Sequence, residues 1–119
     1  MKQTQSESVQ SVAATLKLLN RHRAEIITSL LGGTKRFGEI RAELGGVAQK
    51  TLSDDLHLLE AKGMLTRRVY AEVPPRVEYT LTPDGLKLKP LLYMMADMGA
   101  RQLAAEVFIE YHGQRRSFP

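Results

Sequence analysis

Hydrogen-bonding side chains cluster at the start of a predicted helix over residues 49–62. They are Gln49, Lys50, Thr51, Ser53 and Asp54. In a DNA major groove, glutamine pairs with adenine, lysine donates to guanine, hydroxyl groups bond several base edges and aspartate accepts from cytosine. The same residues also suit an ordinary solvated helix face. For Asp54, pairing with Lys50 four residues earlier is the favoured interpretation.

The helix that carries these side chains has a second, apolar face. Leu52, Leu56 and Leu59 recur at helical spacing, and Gly63 follows where a left-handed C-cap favours glycine. At 1.5 Å per residue the helix is about 21 Å long. The major groove is about 12 Å wide and admits one α-helix. A DNA recognition helix over residues 49–62 is therefore the central hypothesis.

Basic residues outside this helix are candidates for phosphate or minor-groove contacts. Three flank a predicted β-hairpin, and two precede the predicted helix pair: Arg67, Arg68, Arg76, Lys35 and Arg36. Such residues are also common on ordinary protein surfaces. Phosphate contact is the favoured interpretation for Arg76 and stays open for the other four.

The length and the net charge of the chain fit one domain with a polyanionic partner. The 119 residues carry a net charge of +4. Many basic proteins never bind nucleic acid, so charge alone is weak support.

We expect a single domain over residues 8–112, a disordered tail over 1–7 and a flexible tail over 113–119. No stretch reads as a signal peptide or membrane span, so a cytoplasmic protein without a membrane partner is expected.

Several kinds of chemistry are disfavoured. The sequence contains no cysteine, which excludes disulfides and thiol redox sensing within it. The histidines at positions 22, 57 and 112 lack metal-site spacing. No catalytic triad, carboxylate pair or phosphate-binding glycine loop is apparent. We expect no catalytic residues, no metal and no cofactor.

The periodicity predicts a mainly α fold with a small β-hairpin. Helices are expected from Ser8, over about 23–31 and over 38–44, before the helix at 49–62. Residues 20–22 are expected to form a break, and residues 34–36 a short extended link. Period-two alternation then predicts a hairpin over 65–81. Thr82 and Pro83 begin a further helix towards Tyr111, which Pro90 should kink or restart. Two helices joined by a glycine turn and followed by a hairpin form a winged helix-turn-helix.

An apolar stripe on the last helix predicts self-association. Its residues are Leu88, Leu91, Leu92, Met95, Met98 and Leu103. This helix should pair with the first helix and with a partner subunit. Around it, four side chains could line a small-molecule effector pocket between subunits: Tyr93, Met94, Met95 and Met98. Core packing is the favoured interpretation of the methionines.

Six segments carry a family resemblance: 35–37, 39–41, 46–52, 58–65, 68–79 and 81–85. Through them, the sequence resembles the HxlR-type family of bacterial winged helix-turn-helix transcriptional regulators over about residues 16–101. The resemblance implies a homodimer that binds a pseudo-palindromic operator in double-stranded DNA. It also implies dimerisation through the N- and C-terminal helices, with helix 49–62 in the major groove and wing 65–81 on the backbone or minor groove.

The sequence departs from the family pattern in three places. Family members commonly have Gly-Gly-Lys-Trp at positions 19–22 and Thr-Gln-Arg at 53–55, where this sequence has Leu-Asn-Arg-His and Ser-Asp-Asp. It also lacks the cysteine that oxidant-sensing members use. The acidic pair Asp54 and Asp55 motivates an alternative hypothesis, a winged-helix protein-interaction module that has lost specific DNA binding.

Overall fold

The computed structural model describes residues 5–116, and their side chains over 6–106. The elements in chain order are α1 (Gln5–Leu18), α2 (Arg21–Leu30), β1 (Lys35–Arg36), α3 (Phe37–Glu43), α4 (Gln49–Ala61), β2 (Leu65–Tyr70), β3 (Arg76–Leu81), α5 (Pro83–Leu86) and α6 (Lys89–Arg116). The chain divides into two compact units, with α1 to α5 in the first and α6 in the second.

The first unit is a winged helix-turn-helix, as the sequence predicted. Its core combines apolar side chains from α2, α3, α4 and β2: Ile26, Ile27, Leu30, Ile40, Leu52, Leu56, Leu59 and Leu65. The predicted leucine face of α4 is therefore buried. This packing fixes which side of α4 remains available to a partner.

The wing, formed by β2 and β3, belongs to a three-stranded antiparallel sheet. The strand order is β1-β3-β2, and β2 pairs with β3 from Leu65 opposite Leu81 to Tyr70 opposite Arg76. The sequence predicted only an extended link at 34–36, but Lys35 pairs with Tyr79 and makes this link a third strand. A two-stranded hairpin is marginal alone, so the added strand and the buried side chains of β3 support the wing.

The base of the wing is bonded directly to the end of α4. Gly63 has φ of 76°, so the predicted left-handed cap is present. Thr82 caps α5 by accepting from the Gly85 N–H at 3.1 Å, and its hydroxyl also donates to the Gly63 carbonyl at 2.5 Å. The Thr82 N–H donates to the Met64 carbonyl at 3.0 Å. At Gly85, an added Cβ would lie 2.1 Å from that carbonyl oxygen, so only glycine fits.

Several helix boundaries differ from the predicted ones. Arg21 and His22 were expected at a break but lie in the first turn of α2, because the Asn20 side chain caps it by accepting from the Arg23 N–H at 3.1 Å. Near Pro90 the chain restarts rather than kinks: α5 ends at Leu86 and α6 begins at Lys89. Proline fits a first helical turn, where its missing N–H has no intrahelical partner.

The two long helices extend beyond their predicted ends. The first begins at Gln5 and the last continues to Arg116. Residues 1–4 and 117–119 of the expected tails lie outside the described part of the chain. The expected extent of a single domain stays a prediction. Within residues 5–116, no helix combines the length and apolarity that a membrane span needs.

Candidate nucleic-acid interface

The exposed side of α4 carries the polar residues singled out from the sequence. Gln49, Lys50 and Asp54 are exposed, and Thr51 and Ser53 are half-buried beside the leucine face. The Lys50 ammonium lies 3.1 Å from an Asp54 carboxylate oxygen, which confirms the predicted pairing. Both side chains are mostly in solvent, so the pair contributes little to stability and can exchange for another partner.

His57 belongs to the same exposed side and was overlooked as a contact residue. It is exposed and follows Lys50 by seven residues and Asp54 by three, which places all three on one helical face. The sequence interpretation considered His57 only as a metal ligand. Helical spacing alone could have identified it. We define the α4 contact face as Gln49, Lys50, Ser53, Asp54 and His57.

Asp55 does not belong to this face. It is buried at 8% exposure, and its carboxylate lies 3.0 Å from a guanidinium nitrogen of Arg23 on α2. A buried carboxylate is costly unless it is paired, and this ion pair satisfies it. The acidic pair that motivated the protein-interaction alternative therefore splits into one surface residue and one internal residue.

Lys35 is occupied within the protein. Its ammonium donates to the Ser29 carbonyl at 2.7 Å and pairs with Glu43 of α3, and its side chain is only 19% exposed. The hydrogen bond from Lys35 holds the pKa of the Glu43 carboxyl below its ordinary value. Arg36, the next residue, is exposed at the start of α3. Of these two phosphate candidates, Arg36 is the accessible one.

The wing arginines differ strongly in their surroundings. Arg76 lies 3.0 Å from Glu72 and 2.8 Å from Glu78, and its guanidinium stacks 3.8 Å from the ring centre of Tyr70. The hydrogen bond to Glu72, followed by that to Glu78, raises the pKa of Arg76. The favoured phosphate candidate is thus the wing arginine whose charge is already paired with carboxylates of the protein.

Arg67 and Arg68, unlike Arg76, are not paired with carboxylates of the described residues. Both are exposed, and neither forms an ion pair with any carboxylate in the described part of the chain. Arg68 approaches the Tyr70 ring at 4.9 Å, which leaves its hydrogen-bond donors free for an anion. The accessible cations on the wing are therefore Arg67 and Arg68.

Apolar side chains on α1 and α6 are exposed. On α1 they are Val9, Val12 and Leu16, which share one helical face at 60–64% exposure. On α6, the residues considered for an effector pocket are also exposed: Tyr93, Met94, Met95 and Met98. The favoured interpretation of these methionines as core packing is wrong, since none of the three is buried. The three methionines line a shallow depression together with Gly99.

Residues 6–106 contain no cluster of three side chains suited to a metal ion. His22 lies beside Glu25 at 3.6 Å, and His57 is on the α4 contact face. His112 lies outside the described side chains.

Comparison with known proteins identifies the family. A model of the HxlR-like helix-turn-helix family matches residues 17–107. The chain belongs to this family. YtfH of Escherichia coli strain K12, named an uncharacterized HTH-type transcriptional regulator, is 43% identical over 72 residues, covering 60% of this chain and 57% of YtfH. YtcD of Bacillus subtilis strain 168, which has the same description, is 37% identical over 94 residues, covering 78% of this chain and 75% of YtcD.

A solved structure of a regulator has a similar fold. The redox regulator HypR in its oxidized form is similar with a TM-score of 0.73 at 35% identity, over 76% of this chain and 95% of that one. The resemblance seen in the sequence is therefore confirmed, as is the winged helix-turn-helix fold. The chain spans 57% of the length of YtfH and 75% of that of YtcD.

Proposed function

We propose that the protein is a homodimeric, sequence-specific DNA-binding transcriptional regulator that acts in the cytoplasm and has no catalytic role. The observation that carries the proposal is that α4 of the helix-turn-helix has one buried apolar face and one exposed polar face. Its leucines anchor it in the core while Gln49 and Lys50, at its N-terminal turn, stay exposed. The family assignment and the names of the relatives support a DNA-binding transcriptional regulator. A homodimer would bind a pseudo-palindromic operator in double-stranded DNA, because its two-fold symmetry repeats the contacts.

In this proposal the α4 contact face enters the major groove. Gln49, Lys50 and Ser53 contact base edges, with His57 one turn further along. Thr51 is half-buried and contacts the groove wall. Asp54 holds Lys50 in the free protein and either releases it or accepts from cytosine when DNA binds.

The phosphate contacts are reassigned among the basic candidates. Arg67 and Arg68 on the wing and Arg36 at the start of α3 are exposed cations, and they contact the backbone or the minor groove. Lys35 and Arg76 hold the protein together through their glutamate partners, so we assign them to the architecture of the site.

Dimerisation is proposed through α1 and α6, on the strength of their exposed apolar faces. Each buried apolar Å² contributes about 25 cal/mol, so covering these side chains favours association. A two-fold axis would place the two α4 helices about 34 Å apart, or a multiple of it, to read successive turns of one DNA face. In this arrangement a small-molecule effector would bind at the methionines of α6.

The test is selection from random duplex DNA, followed by anisotropy titrations of the enriched site. Lys50→Ala or Gln49→Ala should cost about 1–3 kcal/mol and relax the preference at one base pair. Lys87→Ala is the matched control, because Lys87 is an exposed lysine paired with Asp84 at 3.0 Å on α5. Enrichment of no sequence by the wild-type protein would overturn the proposed function.

The alternative, a protein-interaction module, now depends on Asp54 alone. Asp54→Gln removes the one acidic group of the 53–55 segment that faces solvent. A change from no binding to specific binding in this variant would favour the alternative. An arginine at position 55, although family-like, would face Arg23 inside the protein and is unsuitable for the test.

A further inference from the structure

Arg23 links three segments of the first unit through one side chain. Its Nε donates to the Leu18 carbonyl at 2.6 Å, and one terminal nitrogen donates to the Lys17 carbonyl at 2.7 Å. The other terminal nitrogen donates to the Asp55 carboxylate at 3.0 Å. The end of α1, the start of α2 and the middle of α4 therefore meet at this guanidinium.

The arrangement suits each partner chemically. The last carbonyls of a helix have no intrahelical donors, and a cation there is favourable for the helix dipole. The Asp55 carboxylate is 11% exposed and the Arg23 side chain 14%, so both depend on this contact for compensation of their charges. The planar guanidinium serves all three acceptors at once, which a lysine ammonium of similar length does with poorer geometry.

This contact matters because α1 has little other attachment to the helix-turn-helix. Every α1 side chain from residue 6 to residue 17 is exposed, and burial increases only at Leu18 and Leu19. The leucine face holds α4 in the core without Arg23. The direction of α1 relative to α4 therefore depends on the short 18–20 connection and on this guanidinium.

We propose that the Arg23–Asp55 link is the positioning element that sets the spacing between the two half-sites that the dimer accepts. The inference depends on the proposed function, in which α1 contributes to the dimer interface and α4 reads DNA. Arg23 contacts no base in this proposal. It fixes the angle between the helix that joins the subunits and the helix that enters the groove.

A small change in the angle of α1 is comparable in size to the rise of one base pair. The 14 residues of α1 span about 21 Å at 1.5 Å per residue. A rotation of about 10° about its C-terminal end moves its far end by about 3.6 Å. Successive base pairs are about 3.4 Å apart. One base pair also turns a half-site by about 34° about the duplex axis, because about 10.5 base pairs make one turn. Loosening the link should therefore reduce the penalty for operators that are one base pair shorter or longer, without removing it.

The experiment measures spacing and base preference separately. The half-sites enriched by the wild-type full-length chain are kept constant in a duplex library whose spacer length varies, and a second library varies the half-site at the preferred spacing. Arg23→Lys should reduce the preference for one spacing over its neighbours by about tenfold, the factor equivalent to about 1.4 kcal/mol. Its preference within each half-site should match the wild type.

Two further variants make the result decisive. Asp55→Asn is nearly isosteric and keeps an oxygen that accepts from Arg23, so it should lose less spacing preference than Arg23→Lys. This variant keeps the proposal testable even if Arg23→Lys fails to fold. Arg21→Lys is the control, since Arg21 is the neighbouring α2 arginine with 84% side-chain exposure and should leave spacing unchanged.

The outcomes separate this inference from the proposed function. Unchanged spacing preference in folded, dimeric Arg23→Lys and Asp55→Asn overturns the inference and leaves the regulator intact. Equal loss of spacing and of half-site preference also overturns it, because α4 itself would then have moved. A wild-type chain that selects no DNA overturns both.

Discussion

The wing arginines allow a quantitative test of how the protein would bind DNA. Each phosphate neutralised on B-DNA contributes about −0.9 to the slope of log K against log salt. Arg67 is exposed and has no carboxylate partner among the described residues, so Arg67→Ala should remove one contact per subunit. In a symmetric dimer the slope then flattens by about 1.8, equivalent to about a 12-fold change in relative affinity between 50 and 200 mM salt.

Arg76→Ala should behave differently. In the free protein Arg76 is paired with Glu72 and Glu78 and stacked on Tyr70. Its removal should leave the slope nearly unchanged and lower affinity at every salt concentration, because two glutamates lose their counter-charge and the wing loses its support.

The assay is fluorescence anisotropy on one operator at four salt concentrations. Arg21→Ala is the control, since Arg21 is an exposed arginine paired with Glu25 on α2. If Arg76→Ala flattened the slope as much as Arg67→Ala, the division of the wing into free and committed arginines would be refuted.

Two further predictions concern α4 and the base of the wing. Asp54→Ala frees Lys50 and should tighten binding to a duplex of scrambled sequence. The control Asp84→Ala frees Lys87 and should leave this binding unchanged. Equal effects of the two variants would argue against an α4 that faces DNA. Gly85→Ala places a Cβ 2.1 Å from a backbone oxygen, so it should lower the free energy of unfolding by about 3 kcal/mol, the upper end of the usual cost of overpacking, in urea denaturation. Gly38→Ala, where an added Cβ meets nothing within 4 Å, should be neutral or stabilising, and a similar loss there would contradict the steric explanation.

Local signals in the sequence predicted the fold well. The spacing of Leu52, Leu56 and Leu59 identified the buried face of α4, and Gly63 and Thr82 identified caps that the structure contains. These features depend on residues a few positions apart, so periodicity and capping preferences are sufficient to find them. The N-cap at Asn20 was missed because the following arginine and histidine were interpreted as a break.

The charged site was less predictable. Asp55 lies 32 positions from Arg23, and Lys35 lies eight positions from Glu43, at the opposite end of α3. Only the assembled fold brings these charges together. The sequence could therefore suggest Lys35 as a phosphate contact but could not show that Glu43 already pairs with it. The glutamates that pair with Arg76 are only four and two positions away, so their spacing could have indicated this pairing. Whether the residues of the α4 contact face touch bases stays a prediction.

The bonded junction between α4 and the wing has a consequence for the DNA itself. Thr82 and Gly85 hold the base of the wing against Gly63 and Met64, so helix and wing should approach a duplex as one stiff unit. In the proposed complex, the distance between a major groove and its neighbouring minor groove must then adapt to the protein. Flexible pyrimidine–purine steps adapt at the lowest energetic cost. Operators should therefore favour deformable steps beneath the wing at positions that no side chain reads.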